Sequence, residues 1–303
     1  MEKIEDYRDL IEMPLDELIV KSNRIRKKHT QKIELCSIIN AKSGECTEDC
    51  KYCAQSVHHK TDVNVYDLKS KEEIIKKAKN AKEAGAVRYG IVTSGNSLTD
   101  AEADIVAEAT KEIRETLDLN VCGSFGALSE ENLQKLKDAG MTRYHHNLDT
   151  SREFYPKIVS THSFEERINT VNKAKKLGFT VCSGGIIGLG ESWDDRISMA
   201  LILKELDVDS VPINILMPIA GTKLEKNEPI PYADIIRTIA IFRIILQDKD
   251  IRLAAGRETK LKDFQGLGFL AGANAMLVGG YLTVNGRNVE EDKTLKKEIE
   301  MLW

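Results

Sequence analysis

Cys46-Thr47-Glu48-Asp49-Cys50-Lys51-Tyr52-Cys53 places three thiols within eight residues, at spacing C-x3-C-x2-C. Three thiolates so close together suit three corners of a cubic [4Fe–4S] cluster and leave its fourth iron without a protein ligand. Clusters that only carry electrons usually take four cysteines. An open coordination position separates a catalytic metal site from a closed structural one. The competing reading is a zinc knuckle, with His58 or His59 completing a Cys3His set. Zinc favours paired C-x2-C or C-x4-C ligands in a closed tetrahedron, and the triplet matches that pattern less well.

The chain around this stretch has 303 residues, 42% of them hydrophobic and 30% charged, with a net charge of −4. That composition reads as soluble and globular. It gives no global sign of nucleic-acid binding, and the basic run from Arg24 to Lys32 reads as a solvated helix end. No apolar run is long enough to span a bilayer, and no basic-then-apolar leader opens the chain, so a cytoplasmic enzyme is expected. Six cysteines in a reducing compartment point to metal or redox work rather than disulfides.

Before the triplet, residues 1–31 read as an amphipathic helical cap with Leu10, Ile11, Leu15, Leu18 and Ile19 as its apolar stripe. Ile33–Ile39 is strand-like, so the thiols sit in the loop after a first strand. Beyond them a unit of helix, glycine stop and short apolar strand repeats. Ser70 with Glu73, Thr99 with Glu102, and Ser163 with Glu166 form S/T-x-x-E capping boxes. Gly85, Gly140 and Gly178 close three helices. The further strands expected are Val87–Val92, Leu119–Ser124, Arg143–Leu148, Thr180–Ile187, Ser210–Leu216, Ile251–Ala254 and Ala275–Val278. Eight parallel strands alternating with helices make an α/β protein, a (β/α)8 TIM-type barrel or a slightly open one. The expected organisation is one domain over 1–303: the cap, a barrel over 32–292 and a tail over 293–303. The cysteine loop would then lie at the rim where such barrels place their chemistry.

Cys36, Cys122 and Cys182 fall on strands 1, 3 and 5, and Arg257 falls just after strand 7. Alternate strands of a barrel fill one interior layer, so these four are expected to converge on the axis. Taken singly, each cysteine is as well read as a small buried hydrophobe.

The triplet spacing resembles that of the radical S-adenosylmethionine (SAM) enzymes, in which SAM chelates the unique iron and yields a 5′-deoxyadenosyl radical. The resemblance narrows to the biotin synthase family along nearly the whole chain. It is carried by Asn40-Ala41-Lys42-Ser43-Gly44, Ala54-Gln55-Ser56, Asn147-Leu148-Asp149-Thr150-Ser151 and Cys182-Ser183-Gly184-Gly185-Ile186-Ile187-Gly188. Val211-Pro212-Ile213-Asn214, Ala255-Gly256-Arg257-Glu258, Ala271-Gly272-Ala273-Asn274 and Gly280-Tyr281-Leu282-Thr283 extend it. The resemblance implies sulfur insertion into dethiobiotin, a SAM-bound [4Fe–4S] cluster, and a deeper auxiliary iron–sulfur cluster as sulfur source. Electrons would come from a reduced flavodoxin or ferredoxin, and the assembly would be a homodimer. By position, Cys46, Cys50 and Cys53 match the radical-cluster ligands, and Tyr52, Asn147, Asp149 and Arg167 match SAM contacts. Asn214 and His145 match substrate contacts, and Cys122, Cys182 and Arg257 match auxiliary-cluster ligands.

Three positions depart from that pattern. Gly90 stands where the family has its fourth auxiliary ligand, a cysteine, while Cys36 is gained on the neighbouring strand. The expected auxiliary set is therefore Cys36, Cys122 and Cys182 with Arg257, around either a [2Fe–2S] or a four-iron cluster. His145 replaces an asparagine, which puts a donor-or-acceptor ring where an amide offers both. Thr47 replaces a common proline. The alternatives are a radical SAM enzyme of the hydrogenase-maturation or methylornithine type, and a non-catalytic iron–sulfur or zinc protein.

Overall fold

The structure, a computed structural model, describes residues 2–282 and 286–303. Thr283, the last residue of the closing motif, lies outside them. Among the described residues nine strands form the sheet: β1 (Glu34–Lys42), β2 (Arg88–Thr93), β3 (Asn120–Ser124), β4 (Arg143–His145), β5 (Thr180–Cys182), β6 (Gly185–Ile187), β7 (Ser210–Ile215), β8 (Asp250–Leu253) and β9 (Ala275–Leu277). All pairings between them are parallel. β1 pairs with both β2 and β9, and the pairing Cys182↔Ser210 between β5 and β7 closes the ring. Of the strand residues only Thr180 is exposed, because helices cover the outer face and side chains fill the inside.

The expected strand Thr180–Ile187 is split. Gly184 packs so closely on β7 that a Cβ there would stand 2.1 Å from the carbonyl oxygen of Pro212. The ladder breaks at this residue, and β5 and β6 share one strand position in an eight-position barrel. β4 also ends early, because the chain turns outward after His145. Leu148 and Asp149 both donate to the carbonyl of Gly184, and Asp149 takes a left-handed φ of 68°.

All three capping boxes form, each side-chain oxygen accepting the N–H three residues on. Each such cap is worth about 1 kcal/mol. Gly85, Gly140 and Gly178 have positive φ, as helix-terminating glycines need. A fourth box, Ser192 with Asp195, starts the helix Trp193–Glu205.

The N-terminal helix Leu15–His29 lies chiefly along the outer helix Tyr232–Leu246. Arg237 of that outer helix donates to the carbonyls of Leu10 and Met13. Only the end of the N-terminal helix, through His29 and Asp250, reaches the bottom of the barrel. Its basic run is not wholly solvated, since Arg26 is buried with its guanidinium 3.6 Å over the ring of Trp303. The last helix, Val289–Met301, spans the expected border between barrel and tail and packs back on the barrel.

Candidate active site

The cysteine loop follows β1 through Gly44 and Glu45, both with positive φ, and folds back on itself. Cys46 donates its N–H to Gln55 and accepts from Val57, and Cys53 donates to the carbonyl of Cys50. Asp49 ties the loop to the segment after β4, accepting from the backbone and hydroxyls of Ser160 and Thr161. These bonds hold the three close: Cys50 feels the charge of both Cys46 and Cys53, and Cys53 that of Cys46. Burial pushes the Cys50 and Cys53 thiols up, Cys53 to about 11. Desolvated thiols of this kind ionise when a cation core binds them.

The zinc reading fares worse. His58 turns Nε2 to the carbonyl of Thr47 at 3.1 Å, and His59 turns Nδ1 to that of Cys53 at 2.8 Å. Among the described residues no three His, Cys, Asp or Glu side chains come together as they would around one metal ion. A cluster takes each thiolate at a different iron, so the three thiols fit a cluster and not a single ion.

Tyr52 and Cys53 open onto a cavity of about 390 Å³ that runs down the barrel axis. Asn147 and Asp149 line it near the rim, His145, Ile186 and Asn214 lower down, and Cys36, Cys122 and Cys182 at the floor. Arg167, on the helix Phe164–Lys176, holds the rim. Its Nη2 lies 2.9 Å from Asp149 Oδ2, its Nη1 donates to the carbonyl of Asn147, and its Nε donates to the Tyr155 hydroxyl. Nη2 also contacts His162 Nε2 at 3.5 Å, so the N–H left for a ligand is the second one on Nη1. Tyr155 and Arg167 in turn contact His162, whose Nε2 is 3.7 Å from Cys50 Sγ. Neither Tyr155 nor His162 was among the residues read from sequence.

Asn214 lines the cavity between rim and floor. Its Nδ2 donates to the carbonyl of Gly185 and its Oδ1 accepts from Ala255. One donor and one lone pair stay free on the amide. His145 is paired in register with Cys182 and acts on that thiol. Burial pushes the Cys182 thiol up, but His145, Arg252 and Arg143 outweigh it and bring it down to about 6. Cys36 and Cys122 are pushed up by burial.

The three floor thiols converge as the barrel layering requires, and Gly90 faces them. A Cβ at position 90 would meet Cys122 Sγ at 3.4 Å. The side chain missing there would therefore have pointed at the thiols, and Cys36 supplies the third sulfur from β1.

Arg257 is a correction. It does not join the thiols. It lies fully buried after β8 behind Gly256, donates to the carbonyl of Leu277, and pairs with Asp292 Oδ2 at 2.5 Å. The floor guanidinium belongs to Arg252 on β8, 3.5 Å from Cys182 Sγ. The physical reason is the alternation of strand side chains: Arg252 points inward from the strand, whereas the turn after it throws Arg257 outward under the last helix. A charged residue inside the apolar segment Ile251–Ala254 was the signal available in the sequence.

Barrel and open three-thiol loop together define a radical SAM enzyme. Residues 42–215 match the Radical SAM superfamily, and residues 212–301 match the Biotin and Thiamin Synthesis associated domain. A biotin synthase from Thermotoga petrophila is 49% identical over 97% of this chain and 98% of its own length. Those of Carboxydothermus hydrogenoformans and Aquifex aeolicus are 47% and 48% identical, each over 93% of this chain and over 88% and 86% of their own lengths. The chain belongs to the biotin synthase family. Among solved structures, a methylornithine synthase aligns with TM-score 0.82 at 22% identity, covering 99% of this chain and 92% of that one. A maturase of the [FeFe]-hydrogenase aligns with TM-score 0.82 at 17% identity, over 98% and 71%. At those identities the likeness is one of fold. The cofactors are those of the family: a [4Fe–4S] cluster, SAM and an auxiliary iron–sulfur cluster. Among the described residues no helix is long and apolar enough to cross a membrane.

Proposed function

We propose that the chain inserts sulfur into dethiobiotin to form biotin, drawing the sulfur from an auxiliary cluster held by Cys36, Cys122 and Cys182. Arg252 serves as its fourth ligand or as a hydrogen-bond donor beside it. The observation that carries this reading is the single cavity, which joins the cysteine loop at the rim to three thiols and a guanidinium at the floor. An enzyme that only made a radical would need the rim alone.

The bound cofactors supply a 5′-deoxyadenosyl radical at one end of the cavity and transferable sulfur at the other. The chain's own residues do the rest. Cys46, Cys50 and Cys53 hold the radical cluster and leave one iron for SAM. Asp149 would accept the ribose hydroxyls, Asn147 would offer its amide there, and the N–H left on Nη1 of Arg167 would meet the SAM carboxylate. Tyr52 forms the wall beside them. Asn214 uses its free donor and lone pair on the ureido ring, which holds the substrate carbons between the two ends. His145 faces Cys182 and acts on the auxiliary site, with its second ring nitrogen left for the substrate side. Apolar walls from Ile186, Ile215 and Leu216 exclude water that would quench a radical. We further infer a cytoplasmic single-domain chain that functions as a homodimer and receives electrons from flavodoxin or ferredoxin.

Reconstituted protein incubated anaerobically with SAM, a reductant and dethiobiotin, and read by mass spectrometry, tests this. Biotin together with 5′-deoxyadenosine is expected. Deoxyadenosine without biotin, from protein shown to carry both clusters, overturns the substrate. A Cys36→Ala protein that keeps a full auxiliary cluster by iron count and Mössbauer spectroscopy overturns the ligand set.

A further inference from the structure

The barrel floor holds more positive charge than its known duties use. Arg88 on β2, Arg143 on β4 and Arg252 on β8 all reach toward the three thiols. Each influences the charge of at least two of Cys36, Cys122 and Cys182. Arg143 and Arg252 are each 6% exposed. Each guanidinium is anchored by one side. Arg88 Nη1 donates to Thr142 at 3.0 Å, Arg143 Nε to Thr180 at 3.2 Å, and Arg252 Nη2 to Glu34 at 2.8 Å. Each also keeps a buried nitrogen without any hydrogen bond: Nε of Arg88, Nη1 of Arg143 and Nε of Arg252.

A buried unsatisfied donor costs about 1–3 kcal/mol, and more on a charged group. Three together at one floor mark the place of a missing acceptor. The carboxylates nearby do not fill it. Glu34 Oε1 lies 3.9 Å from Arg88 Nε, too far for a hydrogen bond, and already accepts from Arg252 and from Cys36 Sγ, while Asp250 is taken up by Asn274 and His29. The buried hydroxyl of Ser210, which pairs in register with Cys182, is also unpaired. The acceptor must be anionic, compact and able to take several N–H bonds at once. Thiolates bridged by inorganic sulfide meet that description. Register adds a direction: Arg143 pairs directly with Cys122, and two residues along the same strand His145 pairs with Cys182. Residues two apart on a strand share a face, so β4, lying between β3 and β5, sets Arg143 beside Cys122 and diagonally across from Cys182, whose direct partner is His145.

We propose that Arg88, Arg143 and Arg252 form a guanidinium cradle whose unpaired N–H groups bond the sulfurs of the auxiliary cluster, with Arg143 as a positioning residue set beside Cys122 and diagonally across from Cys182. The cradle rests on the assignment of that cluster to Cys36, Cys122 and Cys182. N–H bonds to the sulfurs favour the reduced, more negative cluster and raise its potential. They also shield the iron–sulfur bonds from displacement.

The test is an EPR-monitored redox titration of both clusters in reconstituted wild-type, Arg143→Met and Arg143→Lys proteins, with the rate of iron loss to a chelator. In Arg143→Met the auxiliary midpoint falls and its iron is lost several-fold faster. In Arg143→Lys, which keeps the charge and the stem without the planar fork, both changes are smaller. The SAM-site cluster keeps its midpoint in both variants and serves as the control for folding. An auxiliary midpoint and a chelation rate unchanged in Arg143→Met overturn the cradle while leaving the auxiliary site standing. A wild-type protein that reconstitutes with the SAM-site cluster alone overturns the assignment beneath it.

Discussion

Asp149 shows how much one residue carries at the rim. It is 3% exposed, adopts a left-handed backbone, and faces the Arg167 guanidinium at 2.9 Å. Asparagine and aspartate tolerate that backbone, whereas a Cβ without a polar end costs about 1–2 kcal/mol there. Removing one partner of a buried pair costs about 3–5 kcal/mol because the other charge is left uncompensated. Asp149→Ala is therefore expected to lose at least about 3 kcal/mol of stability. Asp149→Asn should lose clearly less while still weakening SAM binding. Chemical denaturation and SAM titration separate the two effects, and equal stability losses would contradict the backbone argument. The residue's place in the sequence, in the Asn147–Ser151 segment, was legible. Its pairing with Arg167, 18 positions on, was not, because the helix that brings the arginine back is placed by tertiary packing.

At the scale of elements, the cysteine loop is a free-standing excursion after β1, and Asp49 is its tether. Burial pushes the Asp49 carboxyl up, but the bonds from Ser160 and Thr161 outweigh it and hold it at about 2. A carboxylate with a depressed folded value stabilises above its ordinary value, and that contribution is lost as pH falls through the depressed one. The stability gap between wild type and Asp49→Asn is thus expected to be constant above about pH 5 and to close between about pH 4 and pH 2. Melting curves at stepped pH check this, and a gap that does not narrow on acidification would sink it. The capping boxes and glycine stops were readable because they are local, a matter of residues three or four apart. The split between β5 and β6 was not, because it arises from contact of Gly184 with Pro212 on another strand.

For the whole molecule, the buried pair of Arg257 and Asp292 fastens the last helix to the barrel top. Glu258, which lines the cavity, extends the fastening by accepting from Tyr281 and the backbone of Arg287. Arg257→Met should destabilise the fold by about 3–5 kcal/mol, leaving the buried Asp292 only its longer contact to Arg287 at 3.7 Å. Adding Asp292→Leu should recover much of the loss. Both proteins, where folded, should reconstitute the auxiliary cluster with wild-type iron content, whereas Arg252→Met should not. Loss of the auxiliary cluster in Arg257→Met with the stability kept would reverse the roles of the two arginines.

Periodicity, caps and glycines implied the barrel, because each strand and helix is specified by neighbours in the chain. The thiol triplet implied an open cluster, because its three ligands lie within one loop. Cys36, Cys122 and Cys182 were placed together by counting strands alone, since a closed barrel gives alternate strands one interior. Which arginine joins them depended on something counting does not reach: the direction in which one side chain leaves its strand. Arg252 and Arg257 are five residues apart, and only the turn between β8 and the last helices decided that one faces sulfur and the other a carboxylate. The same holds for Arg88 and Arg143, whose unpaired nitrogens exist only once eight strand positions have closed around them.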